Sequence, residues 1–289
     1  MNRDEQRESR TVLRRIESHL RQSHLEMGAE EESISFVDVI HHPASSLPAL
    51  NYVTPRKNTA WVSANHIQQG INTLREKERD IRVRFAEGLY PPVFVKALRE
   101  LDMCIEDETP IMIYRKTDKP RKLANLPAEI SFVEATSPQE LSIWWYVWRN
   151  AYYDVAVSSI EPLLIGHDIQ EVYLGRQTNI IMYRHGYPMG AMKLTFHEGS
   201  AHLVAHAMLK EMRENASWDK LIREIALDVA LNKDSDLVFV TSKTEDERKL
   251  YRSIGFVDAS SIVSYIENGT QVQQQEDDND SLAQSVLIV

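Results

Sequence analysis

Two histidines in one apolar segment have the side chains best suited to move a proton near neutral pH. His202 and His206 lie in residues 201–209, whose composition predicts a β-strand. Because side chains alternate along a strand, these two rings are predicted to share one face. A histidine there can accept a proton, since its unperturbed pKa is about 6.5. The alternative is that both are ordinary hydrogen-bonded polar residues.

Metal and disulfide chemistry are not predicted. His41 and His42 are adjacent on a predicted strand, so their rings point to opposite faces and one ion cannot easily take both. Cys104 is the single cysteine, which excludes an intramolecular disulfide and a multi-cysteine metal site.

Residues 236–266 predict a strand, a short helix and a second strand. The helix carries Tyr251 and ends before Gly255, a residue suited to the left-handed position of a helix cap. A helix this short is not stable alone, so it is expected to pack on a sheet. The simplest role for Tyr251 is then a half-buried aromatic that anchors the helix.

The pattern L-Y-x-x-x-G-F, formed by Leu250, Tyr251, Gly255 and Phe256, resembles the closing motif of the GCN5-related N-acetyltransferase (GNAT) superfamily. The resemblance implies that Tyr251 protonates the departing thiolate of coenzyme A. It also implies that His202, early on the strand that binds the cofactor, or a bound water, takes the proton of the amine.

The resemblance extends over residues 130–266, and it implies that the strands at 201–209 and 236–240 are parallel neighbours that splay apart. The sequence predicts a strand at 130–134, a helix at 139–153, a hairpin of 179–183 and 190–196, the cofactor strand at 201–209 and the cofactor helix at 210–231. The helix at 139–153 is crowded with aromatic residues, which favours either an aromatic-walled acceptor pocket or a wedge between domains.

The resemblance implies that acetyl-CoA is the cosubstrate. The family pattern R/Q-x-x-G-x-G/A places backbone N–H groups against pyrophosphate. Here Trp218 replaces a small residue and Glu214 adds a negative charge, and both oppose phosphate. The chain still has an amide at every position, because no proline lies within 210–231. The predicted cofactor-binding residues are Met208, Leu209, Arg213, Glu214, Asn215, Ala216, Ser217 and Trp218.

The amino-terminal half is predicted to repeat the carboxy-terminal half. A strand at 80–85, a helix at 93–101 and a β-rich run at 104–114 align with the closing segment, and 65–79 aligns with the cofactor helix. Leu98 then replaces Tyr251, and Asp102 replaces Gly255. The first copy therefore lacks the residues that would do chemistry.

The predicted fold class is α/β, with mixed sheets in two tandem acyl-CoA N-acyltransferase-like domains. Residues 1–116 form the shortened, degenerate domain, 117–127 a linker, 128–268 the GNAT-like domain and 269–289 a disordered acidic tail. An amphipathic helix is predicted at 1–27, where it packs on the first domain or mediates a homodimer. Residues 30–32 are predicted to form a charged loop. Pro110 is predicted to break the β-rich run.

Composition limits the partners. The formal charge of −10 argues against nonspecific nucleic-acid binding, and no apolar run is long enough to span a membrane. The amino terminus is unlike a signal sequence, so a cytoplasmic location is expected.

Two functions remain open. The first is an acyl-CoA-dependent N-acetyltransferase acting on a small-molecule or peptide amine. The second is a noncatalytic GNAT-fold binding or assembly module that has lost cofactor binding.

Overall fold

The structure is a computed structural model that describes residues 3–57, 59, 61–116, 126–153, 162–213 and 215–268. Residues 117–125 of the predicted linker, Glu214 and the predicted tail at 269–289 lie outside the described residues. The chain divides into two compact units, of which the first is Met1–Ile111 with Asp258–Val289 and the second is Met112–Val257. None of the described helices is long and apolar enough to cross a bilayer.

The described helices and strands follow in chain order. They are α1 (Arg3–Glu26), β1 (Glu30–Ile34), β2 (Val37–His41), β3 (Tyr52–Pro55), α2 (Ala64–Glu76), β4 (Arg82–Ala86), α3 (Pro92–Glu100), β5 (Met103–Arg115), β6 (Ile130–Ala135), α4 (Pro138–Tyr153), α5 (Pro162–Tyr173), β7 (Gln177–Arg184), β8 (Tyr187–His197), β9 (Ser200–Met208), α6 (Ala216–Asn232), β10 (Leu237–Thr241), α7 (Glu245–Ser253) and β11 (Val257–Glu267).

The second unit is built on a mixed sheet with the strand order β10-β9-β8-β7-β6. Strands β6 to β9 form an antiparallel meander, whereas β9 and β10 are parallel. Helix α6 is buried over most of its length, from Leu221 to Ala230, because apolar residues occupy nearly all sides of it. This agrees with the element order predicted for residues 130–266, to which the structure adds α5.

The first unit has its own core. Helix α1 buries the predicted apolar stripe of Val12, Leu13, Ile16 and Leu20, so this stripe packs within the chain. Strands β3 and β4 are parallel, and β11 pairs with β4 in antiparallel register. Gly70 lets α2 approach the sheet closely, because a Cβ there would lie 2.8 Å from Val53.

Two expectations about the first half were wrong. Residues 30–32 belong to β1, which pairs along its whole length with β2, and are not a loop. Pro110 lies inside β5, which runs unbroken from Met103 to Arg115; a proline is tolerated where its position needs no ladder donor. The sequence did not predict β1 or β3. The pairing with β4 places most of β11 in the first compact unit.

The predicted cap after α7 is confirmed. Gly255 has a φ of 103°, the left-handed conformation that glycine adopts without strain. The Gly255 N–H donates to the Arg252 carbonyl, and the Phe256 N–H donates to the Tyr251 carbonyl, both at 3.1 Å. The Phe256 ring packs edge-on against Tyr251, with 5.2 Å between centroids. These are the bonds and the apolar contact of a Schellman motif, so the glycine and phenylalanine of the motif have structural roles.

Candidate functional site

The two parallel strands of the second unit separate along their length. Strand β10 pairs with β9 only at the start of β9, where Leu237 to Phe239 lie beside Ser200 to His202. Strand β9 continues to Met208 without further pairing to β10. The predicted parallel neighbours that splay apart are therefore confirmed. We call the space beside residues 203–208 of β9, where β10 no longer pairs with β9, the strand gap.

A bulge in β9 changes the direction of its side chains. Lys193 of β8 pairs with Ala205 and Leu194 pairs with Leu203, so Val204 has no partner in β8. One inserted residue reverses the alternation of the strand. His202 therefore pairs with Thr195 and His206 with Met192, three residues away, and the two histidines lie on opposite faces. The predicted shared face was wrong for this reason.

His202 is packed in the interior. Its side chain is almost completely buried, and its ring stacks on Phe239 with 4.4 Å between centroids and nearly parallel planes. Its assignment as the catalytic base stays a prediction.

His206 lies between an acid and a cation of α6. Its Nε2 is 2.5 Å from Oδ1 of Asp219, and an Nη of Arg223 is 3.2 Å from its Nδ1. Arginine only donates hydrogen bonds, so Nδ1 is the acceptor and Nε2 carries the proton that faces Asp219. Burial lowers the pKa of His206, and the charge of Arg223 lowers it further. The ring is therefore neutral.

Tyr251 is buried beside the same arginine. The guanidinium carbon of Arg223 lies 4.5 Å from the centre of the Tyr251 ring. Burial raises the pKa of Tyr251, and the charge of Arg223 opposes this rise. Glu247, also on α7, approaches Arg223 at 4.0 Å. Asp219, Arg223 and Glu247 were missed by sequence analysis, although the i, i+4 spacing of Asp219 and Arg223 on a predicted helix indicated an ion pair.

Two side chains bond to the carbonyl groups of β9 beyond the residues that pair with β10. The Tyr152 hydroxyl donates to the His206 carbonyl at 2.8 Å. Arg213 donates from Nε to the Met208 carbonyl at 3.0 Å, and from Nη to the Ala151 carbonyl. The predicted cofactor residue Arg213 thus binds backbone at the ends of β9 and α4.

The predicted phosphate turn forms the start of α6. Asn215 is the N-cap, and its side chain accepts a hydrogen bond from the Ser217 amide at 3.0 Å. Asn215, Ala216 and Ser217 are exposed, while Leu209 is half-buried and Met208 is buried. Partly buried Trp218 packs against the core, with the Arg184 guanidinium 5.6 Å from its ring centre.

The aromatic residues of α4 are mostly core. Trp144, Trp145 and Trp148 are almost completely buried within the second unit. The indole N–H of Trp145 donates to Asp168 at 2.9 Å, and Lys193 donates to the same carboxylate at 3.1 Å. This buried ion pair, which sequence analysis also missed, holds α5 to β8.

The adjacent histidines of the first unit, His41 and His42, do not form a metal site. The His42 ring accepts hydrogen bonds from the amides of Ala44 and Ser45 and contacts the Met27 carbonyl, so it organises a loop. Among the described residues, no group of three His, Cys, Asp or Glu side chains could hold a metal ion.

Comparison with known proteins gives matches to solved structures. A GCN5-related N-acetyltransferase from Kribbella flavida has a TM-score of 0.69 at 16% identity, covering 90% of this chain and 97% of that one. A GCN5-related N-acetyltransferase from Sphaerobacter thermophilus gives 0.55 at 11% identity, covering 79% of each chain. A tandem GNAT protein from the clavulanic acid biosynthesis pathway gives 0.53 at 11% identity, covering 79% of this chain and 77% of that one. No family model matches the chain, and no curated protein matches its sequence. The chain has the fold of the GCN5-related N-acetyltransferases.

Proposed function

We propose that the second unit is an acyl-CoA-dependent N-acetyltransferase that acts on a small-molecule or peptide amine. The observation that carries the proposal is the strand gap between β9 and β10, with Tyr251 packed on the α6 side of the sheet. An extended amide-containing ligand suits such a gap, because unpaired strand backbone offers hydrogen bonds to it. Acetyl-CoA carries such a chain between its thioester and its phosphates.

The proposed reaction needs one proton acceptor and one proton donor. The amine nitrogen attacks the thioester carbonyl, a C–N bond forms and the C–S bond breaks. The amine proton goes to a bound water, or through that water to His202, which lies on the face of the sheet opposite Tyr251. The Tyr251 hydroxyl protonates the leaving thiolate. The products are an amide and the free thiol of coenzyme A.

The pyrophosphate is proposed to contact the start of α6. Exposed backbone amides and the helix dipole favour an anion there. Asn215 already bonds to one of these amides, and the residue before it in the sequence is acidic. The proposed contact is therefore made by the backbone amide of Ala216, because the Ser217 amide already donates to Asn215.

The first unit is proposed to be a degenerate copy. Its parallel strands β3 and β4 pair only at Val53 and Val83. Asp102 follows α3 with a φ of 55°, as Gly255 follows α7, and the buried side chain at the position of Tyr251 is Leu98. A leucine has no proton to donate, so this copy is noncatalytic.

The alternative is a noncatalytic binding or assembly module. This alternative is supported by two hydrogen bonds, from Tyr152 to the His206 carbonyl and from Arg213 to the Met208 carbonyl, because a ligand would compete for these acceptors. Titration of acetyl-CoA by calorimetry separates the two. One acetyl-CoA bound per chain supports the enzyme, and no binding at millimolar cosubstrate would overturn it.

Tyr251→Phe tests the chemical step. Thiol release from acetyl-CoA is measured with a panel of amino acids, polyamines and short peptides as acceptors. Loss of the hydroxyl is expected to lower kcat by about 10²- to 10⁴-fold and to leave acetyl-CoA affinity unchanged. Tyr187→Phe, at the exposed start of β8, is the control. A fully active Tyr251→Phe variant would remove Tyr251 from the proposed mechanism.

A further inference from the structure

Arg223 is a buried cation in a helix that otherwise buries apolar side chains. Its side chain is 2% exposed, and its immediate neighbour Ile222 and the nearby Ala226 are core residues. Removing a guanidinium from water is costly unless charges and acceptors replace the water. An apolar residue at this position would pack without that cost, so packing alone does not account for the arginine.

Charged and polar groups from three elements surround Arg223. Asp219 of α6 lies 3.3 Å away, Glu247 of α7 lies 4.0 Å away, and Nδ1 of His206 on β9 accepts a hydrogen bond at 3.2 Å. Tyr251 of α7 lies under the guanidinium at 4.5 Å. Together these contacts hold the planar cation in one orientation above the phenol ring.

The charge of Arg223 acts on the acidity of the phenol. Burial raises the pKa of Tyr251, and the positive charge of the guanidinium, 4.5 Å from the centre of the ring, lowers it. A fixed positive charge also favours the phenolate that remains after proton donation.

We propose that Arg223 is a positioning residue for Tyr251, which it orients and makes a better proton donor to the leaving thiolate. This inference rests on the proposed function. His206 supports Arg223 from the strand side, and Asp219 supports it from the same helix. Protonation of His206 at Nδ1 would replace its acceptor with an N–H that faces the guanidinium. Activity is therefore expected to fall in acid as His206 gains a proton.

The test uses Arg223→Met and Arg223→Lys, each alone and combined with Tyr251→Phe. Lys220→Met is the matched control, because Lys220 lies on the same helix and is 42% exposed. Arg223→Met is expected to lower kcat by about tenfold or more, with Arg223→Lys recovering part of the loss. In the Tyr251→Phe background, Arg223→Met is expected to have little further effect, because Arg223 acts through the phenol. Equal losses in both backgrounds would overturn the proposal.

A second measurement does not depend on turnover. Tyrosines are replaced by difluorotyrosine, which titrates at lower pH, and the Tyr251 fluorine resonance is assigned by its absence in Tyr251→Phe. Arg223→Met is expected to raise the midpoint of this titration by about one pH unit or more, and Lys220→Met is expected to leave it unchanged. An unchanged midpoint in Arg223→Met would overturn the coupling.

If acetyl-CoA does not bind to the unmodified chain, the proposed function fails while this titration still decides whether Arg223 controls Tyr251. Thermal unfolding of each variant checks that it folds, and Arg223→Gln, which also removes the charge, replaces Arg223→Met if the latter does not.

Discussion

The hydroxyl of Tyr90 donates a hydrogen bond to Oε2 of Glu17 at 3.1 Å, and Oε1 of the same carboxyl lies 3.4 Å from the Ala86 amide. Ala86 ends β4, and the Tyr90 oxygen is also 3.4 Å from the carbonyl of Pro55, which ends β3. Glu17 of α1 and Tyr90 thus occupy the ends of the parallel strand pair in the first unit. If the unit is a degenerate copy, they fill the place that a ligand would need.

Glu17 is expected to make stability depend on pH. Burial raises the pKa of Glu17 from 4.5 to about 7, against the hydrogen bonds from Ala86 and Tyr90 and the charges of Arg21 and Arg14. The folded state therefore holds this proton more tightly than the unfolded chain does. Protonated Glu17 therefore makes its full contribution to stability below pH 4.5, and this contribution is lost as the pH rises to about 7. The largest change in unfolding free energy from this one group is roughly 3 kcal/mol.

Chemical denaturation at pH 5 and pH 8 measures this effect in the unmodified chain and in Glu17→Gln. The difference in unfolding free energy between the two proteins is expected to change with pH, because glutamine does not titrate. Glu8→Gln, at an exposed position of α1, is the control. The same pH slope in Glu17→Gln and the unmodified chain would contradict the prediction.

Gly190→Ala is expected to destabilise the second unit. A Cβ at Gly190 would lie 2.6 Å from the sulfur of Met208 and 3.0 Å from Cδ1 of Ile222. Overpacking of this kind costs about 1–3 kcal/mol, with the lower end reached if Met208 moves. Gly166→Ala is the control, because nothing lies within 4 Å of its Cβ and alanine favours the helix by roughly 0.5–1 kcal/mol. Equal unfolding free energies for the two variants would show that the contact with Met208 is not tight.

Tyr152→Phe is expected to strengthen acetyl-CoA binding. The change removes the hydroxyl that occupies the His206 carbonyl and leaves this acceptor free for an N–H group of the ligand. A hydrogen bond of about 0.5–1.5 kcal/mol corresponds to roughly a two- to tenfold lower Kd. Calorimetric titration measures the change, with Tyr146→Phe on the same helix as the control. Weaker binding by Tyr152→Phe would indicate that the hydroxyl contacts the ligand.

Asp168→Ala is expected to be strongly destabilising. The carboxylate accepts hydrogen bonds from Lys193, Trp145, Gln177 and Asn179, all of them buried. Removing it leaves an uncompensated buried ammonium, which costs about 3–5 kcal/mol. Denaturant unfolding measures this cost.

A surface ion pair provides the comparison for Asp168. Glu100 lies 3.9 Å from Lys96, and both side chains are more than half exposed. Glu100→Ala is expected to change stability by less than about 1 kcal/mol, because water screens an exposed pair. A comparable loss from both variants would mean that the buried carboxylate has no special role.

Local features of the fold could be predicted from the sequence because neighbouring residues determine them. The closing helix, its left-handed Gly255 and the contact of Phe256 with Tyr251 all lie within one short segment. The order of strands and helices in the second unit was likewise set by apolar periodicity and by turn residues. The splay of β9 and β10 followed only from the family resemblance.

The tertiary structure decided what depends on residues far apart in the chain. The bulge at Val204 exists only in the register between β8 and β9, and it separates the faces of His202 and His206. The charge of Arg223 becomes important only because folding brings His206, Glu247 and Tyr251 around it. Pairing of β11 with β4 joins residues more than 170 positions apart, which no local pattern encodes. Sequence thus determined the elements and the position of the phenol, and long-range packing determined which charged groups surround it.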